Sequence, residues 1–184
     1  EMAPADWEII VEEASLPMEE PSPETFVAAT VTFGGEVWEN VGVRSKGHGS
    51  RDPNKPALKL DFAEFVADQR FHCLKKINLN NMSGFSPDAS MMRERLAYSL
   101  FRSNGALAGR AGYAEVVVNG EPFGLYVNAE QVDESFLADR LGESDGNLYK
   151  HYYGSFLDYR GPDPEEYLIP TWSGTSQLEL KTNQ

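Results

Sequence analysis

Apolar and polar positions begin to alternate after Thr25, and the alternation recurs along much of the chain. Residues 26–33 are rich in β-branched and aromatic side chains and predict a strand. Gly34-Gly35 supplies a hairpin turn, and residues 36–46 predict the return strand. Two glycines and Pro53 make residues 47–54 an irregular loop. Residues 55–62 alternate cleanly: Pro56, Leu58, Leu60 and Phe62 point one way, Ala57, Lys59 and Asp61 the other. Residues 74–79 predict a further short strand, ended by Asn78, Asn80, Asn81, Ser83 and Gly84. Asn119-Gly120, a strong hairpin signal, joins strands predicted over residues 113–118 and 123–129.

A different period occupies the middle. Ser86, Pro87 and Asp88 predict a helix start, with Ser86 as N-cap and Pro87 in the first turn. The helix is expected to run to about Ser103 and to stop before Gly105. Met92, Leu96, Ala97, Leu100 and Phe101 then share an apolar arc that is expected to pack on the sheet. Glu94 falls at the edge of that arc, and Arg93 within it. Residues 131–141 predict a short helix ended by Gly142.

The ends are less regular. Residues 1–24 form an acidic, Pro-rich lead-in, where residues 7–11 read as a short strand or a helix start. Residues 25–150 hold the strands and helices, and residues 151–184 are expected to begin a separate or missing C-terminal part. An acidic turn at Asp163, Glu165 and Glu166 and one more strand at 178–181 are predicted in the loop-rich end. The order β-β-β-(β)-α-β-β-α predicts an α+β fold: a mainly antiparallel sheet with one long packed helix.

Composition narrows the function classes. The net charge of -13 argues against a nucleic-acid partner, which needs a basic surface, and against affinity for anionic membranes. Cys73 is the sole cysteine, which excludes an intrachain disulfide. No apolar run reaches the length of a membrane span. The acidic segment opening at Glu1 lacks the basic and apolar regions of a signal peptide, and a first residue other than Met marks the chain as processed or incompletely read.

Three segments carry candidate chemistry. Glu94 would be partly desolvated and would want a cation, and Lys59 on a polar strand face is the candidate. An ordinary surface pair is the alternative. The loop from Lys46 to Arg51 has the composition of an anion cradle: its glycines let backbone N–H groups approach a phosphate, and Ser50, Arg51 and Lys55 add donors. It matches neither the P-loop nor the protein-kinase Gly-rich pattern, and a plain connecting loop is the alternative. Residues 128–133 end a strand and could offer free backbone groups to a purine edge, or simply turn the chain into a helix with Asp133 or Asn128 as cap. The histidines are widely spaced, and Cys73 beside His72 matches no zinc pattern, so no metal site is expected.

Together these blocks resemble the CotH family, the spore-coat-protein-H-like atypical protein kinases. The residues that carry the resemblance are Gly42, Val43, Arg44, Lys46, Gly47, Ser50, Arg51, Lys55 and Lys59, then residues 74–80, then Arg93, Glu94, Leu96 and Ala97. They continue with Val118-Asn119-Gly120, Gly124-Leu125-Tyr126, residues 130–133 and residues 146–149. The resemblance implies the N-lobe of a kinase fold, ATP with Mg²⁺, and phosphorylation of secreted or surface proteins on Ser. It also implies an extracellular or cell-surface location. Lys59 or Lys55 would touch phosphates, with Lys59 favoured by the strand alternation. Glu94 would orient the lysine, and Glu130, Gln131 and Val132 would form the adenine-side linker. Family members continue past the position of Thr182 into helices bearing the catalytic and metal-binding aspartates, and no catalytic residue is identified in this chain. A companion polypeptide, the C-terminal half or self-association is expected to cover the lobe, and a protein would be the substrate. The competing expectation is a non-catalytic coat, adhesin or filament module built on the same fold.

Overall fold

A computed structural model describes residues 1–17, 23–83, 87–151, 159, 161–167 and 178–182. Two compact units emerge, Glu1–Gln131 and Val132–Gln184.

The first unit is built on a six-stranded antiparallel sheet in the order β1-β2-β3-β4-β6-β5. Its strands are β1 (Val27–Phe33), β2 (Glu36–Ser45), β3 (Leu58–Asp61), β4 (Lys76–Asn80), β5 (Ala111–Val118) and β6 (Glu121–Ala129). Both predicted hairpins form. Gly34 and Gly35 take φ of 59° and 87°, and Asn119 and Gly120 take 51° and 87°. Two consecutive left-handed residues match the twist of the flanking strands, which is why Gly and Asn hold these positions.

One sheet face is apolar. Val43 pairs with Leu60 and Leu60 with Ile77, while Ser45 pairs with Leu58 and Leu58 with Leu79. Val43, Leu58, Leu60, Ile77 and Leu79 join Val41, Phe62 and Tyr126 in a single core. Helix α1 (Pro4–Ala14) covers that core with Ile10 and Ala14, which resolves the ambiguous residues 7–11 as helix. Trp7 meets Phe123 edge-on at 4.9 Å between ring centroids.

The other face is polar. Arg44, Lys59, Asn78 and Ala129 lie opposite one another across β2, β3, β4 and β6. Asp61 and Lys76, the next pair along, are joined by a 3.2 Å ion pair. The alternation read along residues 55–62 is therefore realised on both faces.

Helix α2 (Arg93–Ser103) corrects the sequence reading twice. It begins later than predicted, because the Asp88 carboxylate accepts hydrogen bonds from the Ser90 backbone N–H and hydroxyl and from the Arg93 N–H. Met91, at φ 55°, also breaks the helical path just before it. The predicted N-cap Ser86 lies outside the described residues. The second correction concerns the face. Leu96, Leu100 and Phe101 are exposed, Leu100 at 63%, whereas Glu94, Tyr98 and Arg102 are half-buried. The helix meets the sheet through its polar stripe, because Asn80 and the Gly109 carbonyl offer hydrogen bonds there.

In the second unit, α3 (Glu134–Leu141) is capped by Asp133, which accepts from the Ser135 and Phe136 N–H groups. Gly142, at φ 76°, ends it as predicted. A two-stranded antiparallel sheet pairs β7 (Tyr149–His151) with β8 (Leu178–Leu180), and the acidic turn is a short 3₁₀ helix at Pro164–Tyr167.

Candidate functional site

The polar face of the first unit gathers most of the candidate chemistry. Lys59 projects from β3 between Arg44 and Asn78. It is half-buried, and among the described residues no hydrogen-bond or ion-pair partner meets its ammonium. Burial first, then the neighbouring Lys76 and Arg44 cations, push its pKa down to about 8; Glu24 and Asp61 oppose the shift. Arg44 is already held: it donates to the Pro23 carbonyl and to Ser45 O at 3.0 Å, and pairs with Glu24 at 3.2 Å.

Beside this row runs a chain of hydrogen bonds. Lys46 extends the β2 ladder, its N–H donating to Ala57 O at 2.9 Å. Ala57 places only a methyl group between β2 and β4, so the Lys46 ammonium spans β3. It donates to Asn80 Oδ1 at 2.7 Å and to Asn78 Oδ1 at 3.3 Å. Asn80 Nδ2 in turn donates to both Glu94 oxygens at 2.9 Å. Asn78 Nδ2 donates to Gln131 Oε1 at 2.9 Å. The sequence Gln131–Asn78–Lys46–Asn80–Glu94 thus links the end of β6 to α2. Tyr98, one turn beyond Glu94, has its pKa raised by burial and then by the Glu94 carboxylate.

The other predicted site residues have different neighbours. Lys55 donates to Leu125 O at 2.7 Å and lies 4.8 Å over the Tyr126 ring, so it belongs to the packing of β6; burial lowers its pKa and Asp52 opposes that. Arg51 ties its loop to the end of α1 through the Leu16 and Pro17 carbonyls. Ser50 lines a cavity of about 250 Å³ together with Lys46, Asn80, Asn81, Met82, Ser83 and Asp88. The loop over that cavity turns at Gly47, at φ +105°, where a Cβ would stand 2.3 Å from Ser50 Oγ. Asn81 fastens the loop by donating to Ser50 O at 3.0 Å and Lys55 O at 2.7 Å. Glu130 is held by Arg110, with a 2.5 Å contact to the guanidinium and 2.7 Å to the backbone N–H. Val132, in the second unit, is exposed. Glu94 meets Asn80 rather than Lys59, so the link expected between strand lysine and helix glutamate runs instead to Lys46. No group of three His, Cys, Asp or Glu able to hold a metal occurs among the described residues.

A model of the family described as CotH kinase protein matches residues 43–177. The chain belongs to the CotH family. That match spans both the polar sheet face and α2. The curated protein Inner spore coat protein H of Bacillus subtilis (strain 168) is 31% identical over 101 residues, or 55% of this chain and 26% of that protein. The CotH-family chain thus aligns with only about a quarter of that relative's length. Sequence reasoning did not place Asn78 and Asn80 in the site, because asparagines near a strand end read as strand breakers. The signal was there in the alternation of Ile77 and Leu79 with Asn78 and Asn80, the same two-faced pattern as β3.

Proposed function

We propose that this chain is the nucleotide-binding part of a CotH-type protein kinase that transfers phosphate from ATP to serines of coat or surface proteins. The observation that carries the reading is Lys59, a half-buried ammonium that makes no hydrogen bond or close ion pair among the described residues and stands in line with Arg44. A desolvated cation is costly alone and favourable once an anion arrives. The polyphosphate of ATP would meet this face at Lys59, with the Gly47 loop as a source of backbone donors. ATP supplies the transferred phosphoryl group. The chain's own residues hold and neutralise the phosphates, which is most of what phosphoryl transfer asks of a protein. The backbone at Glu130 and Gln131 is the candidate contact for the adenine edge. No metal-dependent step is assigned to these residues. The name of the spore-coat relative supports a place in a coat or at a surface.

Isothermal calorimetry of the full chain against ATP tests this. Wild type is expected to bind, and Lys59→Ala to weaken binding at least about tenfold while keeping its melting temperature. Equal binding by Lys59→Ala overturns the lysine assignment, and no binding by wild type overturns the nucleotide reading. A second reading, an interaction module without catalysis, is favoured by the exposed apolar stripe of α2 at Met92, Leu96, Leu100 and Phe101.

A further inference from the structure

We infer that Arg51 is a positioning residue: its guanidinium clamps the end of α1 to the Gly47 loop, so that α1 sets how firmly that loop holds an anion. This deepens the nucleotide reading and rests on it. The clamp answers a deficit in α1. A helix leaves its last carbonyls without partners, and its C-terminal end favours a cation. The last turn of α1 carries no basic residue, and Glu12 and Glu13 stand there instead. Arg51 brings a cation from a loop 35 residues beyond Leu16. Its Nη1 donates to Leu16 O at 3.3 Å and to Pro17 O, two carbonyls just past the helix. Its Nε donates to Gly47 O at 3.3 Å. One planar fork of donors thus spans two segments, which a single ammonium does not reproduce.

The loop is built to feel that hold. Gly47 sits at φ +105°, close against Ser50 Oγ. On one flank the loop is tied to the sheet, because buried Asn81 donates to Ser50 O and Lys55 O. Asn81 directly follows β4, whose register is set by β3 and β6 on either side. The α1 flank is the adjustable one. Ala14 is 2% exposed and Leu16 is 40% exposed, so the packing of α1 ends just before the carbonyls that Arg51 holds. Segments with few buried contacts open most readily, and an opening there reaches Gly47 through one guanidinium. Under the nucleotide reading the loop's backbone N–H groups meet phosphate, and Ser50 lines the cavity beside them. Donors already held in place bind more tightly than donors that must first be ordered.

The test is hydrogen exchange of the ligand-free full chain, followed by calorimetric titration with ATP and inorganic tripolyphosphate. Arg51→Met is expected to speed exchange across residues 47–52 about fivefold and to leave β3 and β4 unchanged. It should weaken tripolyphosphate about threefold. Arg51→Lys keeps the charge without the fork and should show nearly the same changes; it replaces Arg51→Met if that variant melts more than about 5 °C below wild type. Ala14→Gly, which loosens the end of α1, should speed exchange of residues 47–52 about threefold in wild type and no further in either Arg51 variant. An effect of Ala14→Gly that is equal in all backgrounds would show that α1 acts on the loop by another route and would overturn the inference. A direct contact between Arg51 and phosphate would leave the free loop's exchange unchanged in both Arg51 variants. That result with ATP binding intact overturns the inference alone, and the nucleotide reading stands. If wild type binds neither ATP nor tripolyphosphate, the nucleotide reading falls and takes with it the control of anion binding by α1.

Discussion

Lys59 and Lys46 share a sheet face but hold their charge in different ways. Lys59 is desolvated and stands among cations, which brings its pKa to about 8. Below that value both folded and unfolded chains carry the proton, and the folded state bears the full cost of the buried charge. Between about 8 and the ordinary lysine value of 10.5 the folded chain releases a proton that the unfolded chain keeps. Stability should therefore rise with pH across that window. Thermal melts of wild type against Lys59→Met between pH 7 and pH 10 measure this: the gap should close as pH rises, and a gap that does not change would refute the assignment. ATP binding should move in the opposite direction, weakening as pH passes about 8, and Lys59→Arg should flatten that profile because guanidinium stays charged. Such a lysine was partly legible in the sequence, since the alternation of residues 55–62 put it on a polar face. Its neighbours were not, because strand register places Arg44 and Asn78 beside it only after the sheet has formed.

Hairpins and strands followed local chemistry, and their register could be anticipated from turns such as Asn119-Gly120. Helix α2 shows where that reasoning stops. Periodicity identifies which residues share a face, but the sheet decides which face turns inward. Here the sheet presents Asn80, and Glu94 answers it, so Leu96 and Leu100 are left outward. Two substitutions separate these roles. Leu96→Gln with Leu100→Gln should leave the melting temperature within about 2 °C of wild type, because surface changes are nearly neutral. Leu60→Ala, on the apolar face with 7% exposure, should cost about 2–5 kcal/mol in denaturant unfolding. A large loss from the helix pair would mean that its apolar stripe is buried in the folded protein. Under the interaction-module reading, the same pair should instead reduce self-association or partner capture at unchanged stability.

Lys59 and the hydrogen-bonded residues Lys46, Asn78, Asn80 and Glu94 all lie within Glu1–Gln131. So does the apolar cluster from Ile10 to Tyr126, together with the helix that covers it. The boundary between the two units, at Gln131 and Val132, falls inside the segment that the family resemblance implies as an adenine-side linker. A unit with its own core should fold without the remainder of the chain, and under the proposed reading it should also bind polyphosphate there. A fragment of residues 1–131 is expected to unfold in one cooperative transition by circular dichroism and to bind tripolyphosphate within about threefold of the full chain. The Asn78–Gln131 hydrogen bond is the part of the network most exposed to this cut, since Gln131 becomes the terminal residue. Loss of tripolyphosphate binding in a folded fragment would therefore place the end of β6 among the requirements of the phosphate site, and an unfolded fragment would show that residues 132–184 contribute to the stability of the sheet. Under the proposed reading, in which the adenine edge meets the backbone beyond Ala129, ATP is expected to lose more affinity than tripolyphosphate in the same fragment. Equal losses would argue that the adenine is held elsewhere.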